Sequence, residues 1–194
     1  MSLYQRANAQ LGVGSIVPLV PIPPSAERLL DLGGSHGLFS IGFCKQHPNL
    51  DAVVFDFPVA LVETEKAVAA EGLAGRVTVQ HGDYLEDDIG HGYDVILCFF
   101  LPHNHTEDDN KRLMAKASRA LKPGGMIVVH EMLRDDPPSS FNAMYSLLFF
   151  LYSGTRNYGY QEITGWLTEV GFGEFKRMDV PPGGMTSIVT AIKE

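Results

Sequence analysis

Between residues 28 and 131, short and densely apolar runs alternate with amphipathic stretches. The runs at 28–32, 52–57, 76–80, 93–100 and 126–131 have strand length, and the stretches near 39–47, 60–71 and 107–121 carry apolar positions at helical spacing. Val95-Ile-Leu-Cys-Phe-Phe-Leu101 is apolar at every position, which suits a strand covered on both faces. Five strands that alternate with helices are expected to be parallel. Lys122-Pro-Gly-Gly125 is read as the end of the third helix, its glycines serving a left-handed cap. Two more helices are predicted at about 140–152 and 161–170, then strands at 174–179 and 186–192 joined by Pro181-Pro-Gly-Gly184, a hairpin-type turn. The predicted fold is a three-layer α/β, Rossmann-like sheet of seven strands, mostly parallel, with a C-terminal antiparallel hairpin. Before it, residues 4–11 read as a short helix, and Val17-Pro-Leu-Val-Pro-Ile-Pro-Pro24 as an extended linker. Residues 1–25 are thus expected to be an appendage and 26–194 the main domain.

Composition narrows the partners. The formal net charge of −8 disfavours nucleic acid and anionic membrane surfaces. The longest apolar stretch, residues 143–152, is about half of what a bilayer span needs, roughly 20 residues. No charged segment followed by an apolar run opens the chain, so a signal peptide is not expected. Cys44 and Cys98 sit in apolar surroundings without a CxxC neighbour and read as reduced, buried thiols in a cytoplasmic protein.

Three strand ends carry binding chemistry. Leu29-Leu-Asp-Leu-Gly-Gly-Ser-His-Gly37 runs from a strand ending in an acid, Asp31, into a turn with Gly33 and Gly34. Glycine lets a backbone turn tightly and approach a ligand. The dinucleotide fingerprint would need glycine at 35 and 38, where Ser35 and Leu38 stand. Asp56, in Val53-Val-Phe-Asp-Phe-Pro58, follows Gly37 by 19 residues and can accept both hydroxyls of a ribose. A lone aspartate there is more often a cap; the spacing from the glycine loop shifts the balance towards ribose. Gly82-Asp83-Tyr84 offers a carboxylate to an exocyclic amine and an aromatic to a purine, although Gly-Asp alone is also ordinary turn chemistry. The carboxyl edge of an open α/β sheet is where such ligands bind.

Asp31-x-Gly-Gly-x-x-Gly37, Val54-Phe-Asp-Phe-Pro58, Gly82-Asp83, Leu121-Lys-Pro-Gly-Gly125 and Trp166-Leu-x-x-x-Gly-Phe172 together resemble the seven-stranded O-methyltransferases of the plant caffeate type and of bacterial polyketide tailoring. The resemblance spans about residues 26–193. It implies S-adenosylmethionine as cofactor, S-adenosylhomocysteine as product, no metal, and a small-molecule hydroxyl acceptor. It assigns Asp31, Gly33, Gly34, Asp56, Phe57, Gly82, Asp83, Tyr84 and Phe99 to the cofactor. In Phe99-Phe-Leu-Pro-His-Asn-His-Thr-Glu107, His103 matches the histidine that takes the acceptor proton; imidazole titrates close to neutrality and is suited to this. Glu131 matches the acid that orients it. His105, Met144, Leu148, Tyr152 and Tyr160 are expected along the acceptor, with Tyr160 also standing where a second supporting glutamate is common. A metal held by His103 and His105 lacks further ligands at suitable spacing.

Two alternatives stay open at this point: a relative that keeps the cofactor for hydroxylation or decarboxylation, and a non-catalytic cofactor-binding domain. The similar enzymes also carry an N-terminal helical domain for dimerisation, which this sequence does not show. The segment 140–152 is apolar nearly all round, unlike a surface helix with one apolar stripe. It is therefore expected to mediate a homodimer or to leave an apolar patch.

Overall fold

A computed structural model describes residues 12–135, 137–180 and 185–194. The sheet has seven strands: β1 (Arg28–Leu32), β2 (Asp51–Asp56), β3 (Val77–His81), β4 (Tyr93–Phe99), β5 (Leu121–Glu131), β6 (Phe172–Val180) and β7 (Thr186–Lys193). The helices are α1 (Leu38–Gln46), α2 (Thr64–Ala70), α3 (Glu107–Ala120), α4 (Ser140–Ser153) and α5 (Tyr160–Glu169). Strand order is β3-β2-β1-β4-β5-β7-β6, with β1 to β5 parallel and β7 antiparallel to both β5 and β6. The order reverses between β1 and β4, in register from Leu29 opposite Val95 to Leu32 opposite Cys98. That switch point opens a crevice at the carboxyl ends of the strands.

Side-chain alternation along the strands builds two cores. On β4, Val95, Leu97 and Phe99 enter one with Phe39, Phe43 and Cys44 of α1, while Ile96 and Cys98 enter the other with Leu113, Met114 and Ala117 of α3 and Trp166 and Leu167 of α5. Each large apolar side chain buried this way contributes about 1.5–3 kcal/mol. No residue of α4 belongs to either core among the described residues; only Asn142 of that helix is buried.

Two local readings differ from the structure. The proline-rich stretch is not an extended linker: residues 12–16 are helical, Val17–Leu19 form a 3-10 turn, and Ile16, Val17, Val20 and Ile22 are buried in the α1-side core. Pro18 enters that turn near its start, where a missing N–H costs nothing. Helix α3 ends at Ala120 with Leu121 already extended, and Gly124 takes its positive φ within the first residues of β5 instead of capping the helix. The expected helix at 4–11 and the turn at 181–184 lie outside the described residues. No helix among the described residues is long and apolar enough to cross a membrane.

Candidate active site at the carboxyl edge

Asp31, the penultimate residue of β1, is almost fully buried and accepts a 2.7 Å hydrogen bond from the Ser40 hydroxyl of α1. Burial pushes its carboxyl up to about 6, helped by the charge of Asp56 and opposed by Ser40. Gly33 follows with φ +71° and donates to the Phe55 carbonyl. At Gly34 any Cβ would stand 2.5 Å from the Asp31 carboxyl carbon, so only glycine lets the loop lie on that acid.

Asp56 ends β2 with 7% exposure. One oxygen accepts from Ser35 N at 3.0 Å and the other from Phe57 N at 2.7 Å. Burial pushes its carboxyl above the usual range against the pull of those two donors. A carboxylate has about four acceptor sites, so two bonds leave capacity for a ligand. After β3, Gly82 N donates to the Asp56 carbonyl. Asp83 caps its own turn, accepting from Leu85 N at 2.9 Å. Phe57 packs against Tyr84, ring centroids 5.6 Å apart. The Tyr84 hydroxyl lies 3.0 Å from His105 Nε2, and burial pushes the phenol up to about 12. His105 is pushed down by burial, against the charges of Asp109 and Asp83.

His103 lies in a 3-10 turn, Pro102–Asn104, just past β4. Its Nδ1 is 2.8 Å from Glu131 Oε2 at the end of β5. Glu131 is fully buried, and its other oxygen accepts from Met132 N at 2.7 Å. The imidazole stacks on Phe149 of α4 at 4.4 Å with an 18° tilt. Three residues that sequence reasoning did not single out hold this turn by its carbonyls. Thr155 Oγ1 donates to the His103 carbonyl, Tyr158 Oη to that of His105, and Asn110 Nδ2 to those of Pro102, His105 and Thr106. Thr106 caps α3 by accepting from Asp109 N, and Asn104 bonds back to the Phe100 carbonyl.

Some expected site residues stand elsewhere. Phe99 turns into the α1-side core, edge-on to Phe39 at 4.8 Å, because β4 alternation sends it there with Val95 and Leu97. His105, expected along the acceptor, is paired with the Tyr84 hydroxyl. Met144, Leu148 and Tyr152 occupy the outer side of α4, 56%, 54% and 86% exposed, and the side chains that α4 turns inward are Asn142, Ser146 and Phe149. Tyr160 is half-buried at the start of α5 against the α3-side core. Among the described residues no group of three or more His, Cys, Asp or Glu side chains is placed to hold a metal.

This arrangement can be set beside known proteins. The O-methyltransferase domain profile matches residues 11–173. A 3-hydroxy-5-methyl-1-naphthoate 3-O-methyltransferase of Streptomyces sahachiroi is 30% identical over 169 residues, 86% of this chain and 49% of that protein. An L-tyrosine C(3)-methyltransferase of Streptomyces lavendulae is 28% identical over 98% of this chain and 53% of its own length. Among solved structures, the apo S-adenosylmethionine-dependent methyltransferase SibL superposes with a TM-score of 0.86 at 25% identity, covering 97% of this chain and 56% of that one. The mitomycin 7-O-methyltransferase MmcR gives 0.86 at 23% identity, over 99% and 57%, a likeness of fold. The chain spans about half the length of these relatives. With the profile matching most of its residues, the chain belongs to the O-methyltransferase domain family.

Proposed function

We propose that this chain forms the site at which an enzyme moves a methyl group from S-adenosylmethionine to a hydroxyl of a small aromatic or polyketide-like molecule. The observation that carries the reading is the 2.8 Å contact between His103 and the buried Glu131, at the same sheet edge as the glycine cradle and Asp56. When bound, S-adenosylmethionine supplies a methyl group on a sulfonium sulfur and leaves as S-adenosylhomocysteine. The residues present fit it. Gly33 and Gly34 leave the β1 loop bare of side chains above Asp31, Asp56 keeps acceptor sites for ribose hydroxyls, and Phe57, Asp83 and Tyr84 offer purine chemistry. With Nδ1–H donated to Glu131, His103 presents the lone pair of Nε2, which takes the acceptor proton. The Glu131 carboxylate stabilises the imidazolium that forms and fixes the ring. Holding acceptor and donor in line contributes several kcal/mol more.

A second reading, methylation of a ring carbon, is favoured by the L-tyrosine C(3)-methyltransferase relative. Removing a phenolic proton raises electron density on the neighbouring ring carbon, so the same base serves both outcomes. Buried Cys44 and Cys98 support a reducing, cytoplasmic setting.

The test is transfer of isotope-labelled methyl to a phenol library, read by mass spectrometry, with product linkage assigned by NMR. S-adenosylhomocysteine at a hundredfold over its dissociation constant should stabilise the fold by about 2.7 kcal/mol. No labelled product together with an unmoved melting curve would refute the reading.

A further inference from the structure

Asn157 is fully buried, yet its Nδ2 has no hydrogen-bond partner among the described residues. Leaving a buried amide donor unpaired is costly, and folds rarely retain one without use. Its surroundings are the base site. The Asn157 carbonyl oxygen accepts from the Ser146 hydroxyl of α4. One helical turn further, on the same face, Phe149 stacks on His103. Two residues before Asn157, Thr155 turns inward as well and bonds the His103 carbonyl. Asn157 therefore lies between the base turn and the face of α4 that covers it, and neither ion pairing nor capping occupies its N–H groups.

We propose that Asn157 is a specificity-determining residue of the acceptor site: its amide donates to a second oxygen of the acceptor, next to the hydroxyl that His103 deprotonates. The substrate class is then a phenol with a carbonyl or another oxygen beside the reactive hydroxyl. An acceptor offering only carbon at that place strands the donor, and sites built to hydrogen-bond a substrate group reject analogues that lack it. The inference rests on the proposed methyl-transfer reading.

The experiment compares 2-hydroxyacetophenone with 2-ethylphenol, similar in shape but differing in the carbonyl oxygen. Binding to the whole chain is titrated calorimetrically in saturating S-adenosylhomocysteine. The wild type should bind the ketone about fivefold to tenfold more tightly. Asn157→Leu, of similar volume, should erase that preference; it removes the unpaired donor together with the acceptor of the half-buried Ser146 hydroxyl, so its melting temperature should shift little. Asn157→Asp keeps an acceptor for Ser146 but no N–H, and should also lose the preference. Equal binding of the two phenols by the wild type, binding of neither, or a preference that survives in both variants overturns the proposal. A marked fall in melting temperature for Asn157→Leu, with no change in preference, assigns the amide to a buried water and overturns it too. Failure of S-adenosylhomocysteine itself to bind instead refutes the methyl-transfer reading, so the two failures are distinct.

Discussion

The two sides of the crevice are built differently. On the proposed cofactor side, the strand ends of β1, β2 and β3 deliver buried Asp31 and Asp56 and half-buried Gly34 and Gly82, and main-chain hydrogen bonds tie each loop to the next. On the acceptor side, the base turn is equally firm, but the helix that covers it is not. Helix α4 exposes Phe141, Met144, Leu147, Leu148, Phe150, Leu151 and Tyr152, and joins neither core. So many exposed large apolar side chains on one helix are uncommon on a monomer's surface. On the proposed reading, cofactor recognition would depend on the sheet, and acceptor recognition on a helix whose inward contacts include Asn142, Ser146, Phe149 and Ser153.

The largest effect should separate the two sides outright. His103→Ala should lower turnover by about 10²–10⁴ while leaving affinity for S-adenosylhomocysteine within twofold. Parallel loss of cofactor affinity, seen in calorimetry, would mean that the base turn and the cofactor loops are one unit.

Next comes the buried acid beneath the glycine loop. Its folded pKa, about 6, is raised above the ordinary 3.8. Such an acid contributes stability that is fully present below about pH 4 and lost as pH rises through about 6. Asp31→Asn should therefore gain on the wild type across that window, by on the order of 3 kcal/mol. Chemical denaturation of both proteins at pH 4, 5, 6 and 7 measures the difference directly. The comparison must be made between variants, because buried His130, pushed down to about 4, contributes in the opposite direction. Its stabilisation is present above the ordinary imidazole value and is lost as pH falls through about 4. A difference that stays flat with pH would place Asp31 ionised throughout.

A smaller effect is expected at Asp56. Asp56→Ala should weaken S-adenosylhomocysteine binding by roughly 1–3 kcal/mol, by removing an acceptor for ribose hydroxyls and releasing the Ser35 end of the loop. An unchanged dissociation constant would remove Asp56 from the cofactor side. The smallest effect belongs to the open helix. Phe150→Ser, at a position 63% exposed, should change folding stability by no more than about 0.5 kcal/mol. It should nonetheless reduce binding of a hydrophobic dye and any self-association seen in sedimentation. A large loss of stability would show that α4 is held by more than its inward residues.

Legibility in the sequence followed the same divide. Short apolar runs of strand length, alternating with longer stretches of helical length, disclosed all seven strands and the five helices, because strands covered on both faces leave near-continuous apolar runs. His103 and Glu131 were singled out by the family resemblance, and the structure places them 2.8 Å apart. Asn110, Thr155 and Tyr158 were not, since a side chain that bonds a distant carbonyl leaves no spacing to read. For α4 the apolar run concealed its orientation. Its inward side is marked by polar Asn142 and Ser146, four residues apart, and the apolar residues chosen as acceptor contacts fell outside. The proline-rich stretch misled because proline fixes φ near a value shared by extended chain and helical turn. Burial of Ile16 and Val17 decided between them.

The two cysteines have a further use. Cys44 sits in the α1-side core and Cys98 in the α3-side core, both without exposure, and burial pushes their thiols up to about 11 and about 12. Neither reacts as a thiolate while its layer is closed. The chain thus carries one native reporter on each face of the sheet. Pulsed alkylation followed by peptide mapping times the opening of the two layers separately. Equal rates at Cys44 and Cys98 would mean that the sheet and both helical layers open in a single cooperative event.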